Sequence, residues 1–137
     1  MHEDFDSWNL LKKKISNQKN NKYIHQREVW WVALGLNVGA ELNGKHENFE
    51  RPVLVLRAYN RETLLVLPLT TQVKDGRFYF PVTVRFYRPL ENNYGERNVS
   101  AGLTQSRVIS GNRLLRKAGF ISESDFKAVR LAYINSI

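Results

Sequence analysis

The stretch "RPVLVLRAYNRETLLVLPLTT" (51–71) decides the fold. Its first half, "PVLVLRA" (52–58), is almost purely aliphatic, as a strand covered on both faces is. "TLLVLPLTT" (63–71) is a second run of the same kind. Only "NRET" (60–63) separates them, so the two runs predict a β-hairpin. Pro52 fits the first residue of a strand, where a missing N–H does little harm, and Pro68 marks an edge or a bend. The ends of the hairpin are polar: Arg51 borders the first run, and Thr70 and Thr71 close the second.

Upstream, "EVWWVAL" (28–34) is aromatic and β-branched and stops at Gly35, so it predicts a strand. A polar loop carrying Gly39, Glu41, Lys45 and His46 joins it to the hairpin. Downstream, "GRFYFPVTVRFY" (76–87) reads as a strand interrupted by Pro81, and "RPLENNYGERN" (88–98) as a long polar loop. "AGLTQSRVIS" (101–110) reads as one further strand. "NRLLRKAG" (112–119) predicts a short helix stopped by Gly119. "SESDFKAVRLAYI" (122–134) predicts a terminal helix, with Ser122 and Asp125 at capping-box spacing and an apolar stripe of Phe126, Val129, Ala132 and Tyr133. At the other end, Trp8, Leu11 and Ile15 in "DSWNLLKKKISNQ" recur at helical spacing, capped by Asp6 or Ser7. Residues 1–26 are therefore expected to be a helical extension and linker, and 27–137 the main domain. About five short strands joined by turns, with a helix at each end, predict a mainly β protein of α+β class, either a small barrel or a strongly bent sheet.

The totals bound the function. A chain of 137 residues suggests one domain, and 42% hydrophobic residues suffice for a real core. There is no cysteine, hence no disulfide framework and no thiolate metal site. No apolar run reaches the ~18 residues of a membrane span, and the acidic-then-basic start has the wrong order for a secretory signal. The expectation is a soluble cytoplasmic protein that engages no membrane. Twenty-one Lys and Arg against 13 Asp and Glu leave a net charge of +8, which points to a polyanionic partner if it does more than solubilise. Three Trp, six Tyr and seven Phe include aromatics able to stack on unpaired bases, although most belong in a core.

No phosphate-binding loop, dinucleotide fingerprint or metal-ligand spacing occurs, so neither a cofactor nor a metal is expected. His2, His25 and His46 stand apart from one another. What remains are cations and hydroxyls at strand ends. Arg51 has two readings: an ion-pair partner of Glu41 or Glu50, or a guanidinium aimed at a phosphate, to which its planar fork is suited.

Four pieces in register carry a resemblance: "EVWWVALGLNVGAELNGK", "RPVLVL", "VLPLTT" and "TQSRVISGNRLLRKAG" followed by the terminal helix. From about residue 27 onward the chain resembles the MazF/PemK toxins of bacterial toxin–antitoxin systems, and its N-terminal extension resembles that of longer PemK-like members. The resemblance implies a small SH3-like β-barrel with a C-terminal helix, assembled as a two-fold homodimer. It implies a metal-independent endoribonuclease that cuts single-stranded mRNA at selected sequences and is neutralised by a cognate antitoxin. It implies catalytic roles for Arg51, in the Arg-Pro step, and for Thr70. It implies substrate contacts from Glu41, Thr71, Gln105, Ser106 and Arg107. Some relatives place catalytic residues where Gly102 and Thr104 stand here, so that acid–base scheme does not carry over and the Arg/Thr scheme does. Two other classes compete with a nuclease: a CcdB-like poison that acts by binding gyrase, and a non-catalytic RNA-binding barrel.

Overall fold

The computed structural model describes residues 23–33, 50–72 and 76–137. Within them lie strands β1 (Glu28–Ala33), β2 (Glu50–Ala58), β3 (Leu64–Thr70), β4 (Tyr79–Arg88), β5 (Asn93–Gly102), β6 (Arg107–Ile109) and β7 (Leu114–Ile121), then helix α1 (Glu123–Asn135). The strands form one antiparallel sheet in the order β2-β1-β7-β4-β5-β3-β6. Because β2 also pairs with β3, the first six close into a ring, and β6 lies beside β3 outside it. Closure leaves few exposed strand edges, which suits a small all-antiparallel sheet. The expected helix over 7–17 and the residues Glu41 and His46 fall outside the described residues.

The aliphatic runs fill both sides of the ring wall. Leu54, Leu56, Leu67 and Leu69 point inward with Val29, Val82, Val84 and Val99. Val53, Val55, Leu64 and Val66 point outward, where Trp30, Ile109 and Leu114 cover them. That double burial is why 52–58 and 63–71 lack the alternation of a half-exposed strand. Pro68 sits where β3 passes from β6, paired through Val66, to β5, paired from Leu69, so its missing N–H falls at a change of partner. Helix α1 packs Phe126 and Val129 against the inner cluster. Ser122 caps it, its hydroxyl accepting from the Asp125 amide at 3.1 Å. The Asp125 carboxylate accepts from the Thr83 amide of β4 at 3.0 Å, on a stretch of β4 that β7 does not reach.

Three expectations are corrected. Of "NRLLRKAG" only Asn112 and Arg113 are helical, within the single 3-10 turn Gly111–Arg113, and Leu114–Ile121 is strand β7. Register shifts against β1 at Val29/Trp30 and Trp31/Val32 break the period-two pattern there, so local sequence could not signal a strand. Residues 88–98 are not a loop: β4 and β5 form a long hairpin turning at 89–92, with Asn92 in the left-handed region (φ 51). Its outward side chains are solvated, which makes its composition loop-like. "AGLTQSRVIS" splits into the end of β5, a 3-10 turn and β6.

The seam between β1 and β7 holds an almost buried carboxylate. Glu28 is 8% exposed. It accepts from the Trp30 indole N–H at 3.0 Å and the His25 amide at 2.9 Å, and faces Lys117 Nζ at 3.1 Å. Burial alone would raise its pKa, but these donors outweigh burial and hold it below the usual 4.5. A carboxyl with a depressed folded pKa stabilises above its unfolded value and loses that contribution as pH falls through the folded pKa. Glu28→Gln is therefore expected to destabilise by about 1–3 kcal/mol at neutral pH, and by less below about pH 4. Thermal unfolding of both proteins at the two pH values checks this; a difference that is the same in acid contradicts it.

Candidate active site

The β2–β3 ladder ends at Val53–Pro68; Arg51 lies two residues before Val53 and Thr70 two after Pro68, so strand alternation sets both on the outer face at the adjoining ends of the hairpin. Arg51 pairs with Val32 of β1, and Thr70 with Ser100 of β5. Cross-strand partners share a face, so Val32, Arg51, Thr70 and Ser100 form one row on the outside of the ring. The hairpin that dictates the fold thus also places its two polar ends side by side.

Arg51 follows Val53 and Val55 along the outward column, which explains its burial: only 7% of it is exposed. Its Nε has no hydrogen-bond partner. It makes no ion pair among the described residues. Glu50 turns instead to Arg116, gripping it through two contacts of 2.9 and 3.4 Å. Burial lowers the Arg51 pKa, yet a guanidinium stays charged. Burying a guanidinium with an unsatisfied Nε costs the fold, and such groups concentrate at functional sites.

Thr70 is 1% exposed, and its Oγ1 accepts from the Gln72 amide at 3.2 Å. That bond fixes the oxygen and leaves the O–H to donate elsewhere. Ser100, 6% exposed, sits next to it in the row. Nothing in "NVSAG" singled Ser100 out; only the β3–β5 register does.

The other expected site residues scatter around this row. Arg107 pairs with Val66, so it shares the outer face but lies about 13 Å from Thr70 along β3. The Ser106 hydroxyl accepts from the Tyr133 hydroxyl of α1 at 3.0 Å. Gln105 ends the 3-10 turn Leu103–Gln105, with its side chain against Gly102. Thr71, one step past Thr70, points to the opposite face. There the inward columns end in a cleft of about 560 Å³ at the ring's mouth, lined by Trp31, Pro52, Thr71, Phe86, Arg97 and Arg116. The Arg116 guanidinium lies over the Trp31 ring at 5.3 Å. Sequence reasoning missed Glu50–Arg116–Trp31 because its members meet only when β1, β2 and β7 assemble.

The family model describing a "PemK-like, MazF-like toxin of type II toxin-antitoxin system" matches residues 25–136. The chain belongs to this family. Among solved structures it is similar to the Mycobacterium tuberculosis toxin MazF-mt6, at 21% identity and a TM-score of 0.56, over 80% of this chain and 95% of that one. It is also similar to a second Mtb toxin, at 23% identity and a TM-score of 0.50, over 64% and 92% of the two chains. At these identities the likeness is one of fold: a mainly antiparallel sheet with one C-terminal helix. Among curated proteins no sequence match was found. Membership makes the ring the family's toxin fold, and among the described residues no helix is long and apolar enough to cross a membrane.

Proposed function

We propose that this family member is an endoribonuclease toxin that cuts single-stranded mRNA in the cytoplasm and is held in check by a cognate antitoxin. The observation that supports it most is a buried Arg51, its Nε without a hydrogen-bond partner and with no ion pair among the described residues, at the end of β2 that adjoins Thr70 at the end of β3. A poison that only binds a protein has no use for such a guanidinium. The exposed apolar side chains Leu131 and Ile134 on α1 suit a homodimer, the assembly proposed for the active toxin.

The chemistry needs no metal in this scheme. The substrate's 2′-OH attacks the adjacent phosphorus, the P–O5′ bond breaks, and the products are a 2′,3′-cyclic phosphate and a free 5′-OH. The 2′-OH proton leaves to a base, and the departing 5′-oxygen gains one. Arg51 holds two phosphate oxygens through its fork and stabilises the phosphorane's charge. Thr70, a poor base at neutral pH, donates to the 2′-oxygen or to a non-bridging oxygen and aligns the attack. Both side chains are covered in the free chain, so productive binding has to uncover them. Glu41, Thr71, Gln105, Ser106 and Arg107 are assigned to the RNA path.

Incubating a long RNA with the protein and excess EDTA, then mapping the cut ends, tests this scheme. The expected products are discrete cuts bearing 2′,3′-cyclic ends, and their loss in Arg51→Ala. Absence of cuts, or cuts that Arg51→Ala leaves unchanged, rules the scheme out.

A further inference from the structure

We propose that the mouth of the strand ring is a nucleobase pocket, taking the base next to the phosphate held at Arg51 and Thr70. This rests on reading those two residues as the cleaving centre. Strand alternation sets the geometry. Arg51 and Thr70 face outward, whereas the next residues, Pro52 and Thr71, line the mouth. Phosphate site and pocket are therefore separated by one residue step on each of two adjacent strands. A nucleotide whose phosphate sits on the outer side of the rim can turn its base over the edge into the ring.

The pocket has the surfaces a base requires. Its lining includes Pro52 and Ala118, and its walls carry the Trp31 and Phe86 rings, which pack against the inner cluster. Its volume of about 560 Å³ lies within the ~300–1,000 Å³ range of small-ligand sites. Aromatic walls suit a splayed base of single-stranded RNA, which stacks on any flat π-face. Four cations ring the mouth: Arg88, Arg97, Arg116 and Lys117, against the single lining carboxylate Glu96. Glu91, Glu50 and Glu28 already engage Arg88, Arg116 and Lys117. Arg97 has no ion-pair partner among the described residues, so it is the cation left to meet a flanking phosphate. Arg116, stacked on Trp31 and gripped by Glu50, couples the pocket wall to the residue directly before Arg51.

The test uses two rim variants, both at exposed positions and so tolerated by the fold: Thr71→Tyr, which fills the mouth, and Arg97→Ala, which removes the free cation. Circular dichroism confirms that each is folded. A random-sequence RNA pool gives the cut-site preference, and a mixed-sequence 2′-O-methyl RNA, which lacks the nucleophile, gives binding through quenching of Trp31. Both variants are expected to weaken 2′-O-methyl RNA binding by about tenfold or more and to flatten the base preference at one position beside the cut. Trp31→Phe is expected to abolish the quench. An unchanged cut-site preference in both folded variants overturns the pocket. So does a loss confined to neutralisation by the antitoxin, which assigns the mouth to the protein partner. If the wild-type protein cuts nothing, the nuclease reading fails, and the pocket stands or falls on the quench and its loss in Thr71→Tyr.

Discussion

Arg51→Met is expected to lower the RNA cleavage rate by at least a hundredfold and to raise the melting temperature of the same protein. The first effect follows from electrostatics. A single oriented donor at the developing charge is worth roughly 2.7–4 kcal/mol in the transition state, or about 10²–10³ in rate. The second follows from burial. Arg51 is 7% exposed, its Nε is unpartnered, and its outward neighbours are Val53 and Val32. An apolar side chain of similar length removes a desolvated charge and keeps the packing, so a gain of about 1 kcal/mol or more is expected, some 3–4 °C for a chain of this size. Opposite signs for activity and stability are the mark of a residue held in place for its ligand. Arg51→Lys keeps the charge but loses the fork, so part of the activity should survive. Single-turnover cleavage and differential scanning fluorimetry on the three proteins decide the matter. If Arg51→Met melts several degrees lower, the guanidinium serves the fold, and its reading as a catalytic group fails.

How the site came to be legible explains what stayed hidden. The hairpin 51–71 was readable because both of its faces are buried and its turn is short, so local sequence and tertiary context agree. The helix α1 was readable for the same reason, through Ser122 and the Phe126–Val129 stripe. Arg51 and Thr70 were visible as polar ends of aliphatic runs, but composition could not tell a phosphate ligand from an ion-pair partner. The structure removes Glu50 from that choice by giving it to Arg116. Ser100, Arg116 and the ring's mouth were invisible for another reason. Each becomes distinctive only through register, and register between β3 and β5 or between β1 and β7 is set by strands far apart in sequence. The same holds for β7, whose bulged pairing with β1 erased the alternation that marks a strand.

Gly119 shows that register effect at one atom, and Gly119→Ala is expected to cost about 3 kcal/mol or more. Its sequence context suggested a helix stop. In the ring it is the residue of β7 that pairs with Phe86 of β4 and with Val29 of β1. A Cβ there would collide with the Arg85 carbonyl oxygen and lie 3.1 Å from the Phe86 Cα. Both obstacles are backbone, so no side-chain rotation relieves them. The two strands would have to part, and β4 and β7 share only the pairs Val84–Ile121, Arg85–Phe120 and Phe86–Gly119. Overpacking in a well-packed core costs roughly 1–3 kcal/mol, and a clash with backbone belongs at or beyond the top of that range. Gly95→Ala in the neighbouring hairpin is the control. There the three atoms nearest the added methyl all belong to the Arg88 guanidinium end, which can swing into solvent, so a change within about 0.5 kcal/mol is expected. Urea denaturation of the two variants against the parent measures both costs. Equal midpoints for Gly119→Ala and Gly95→Ala would show that the seam yields freely. A low midpoint for Gly119→Ala alone places ring closure, and with it the wall of the mouth formed by Phe86 and Ala118, on this one missing side chain.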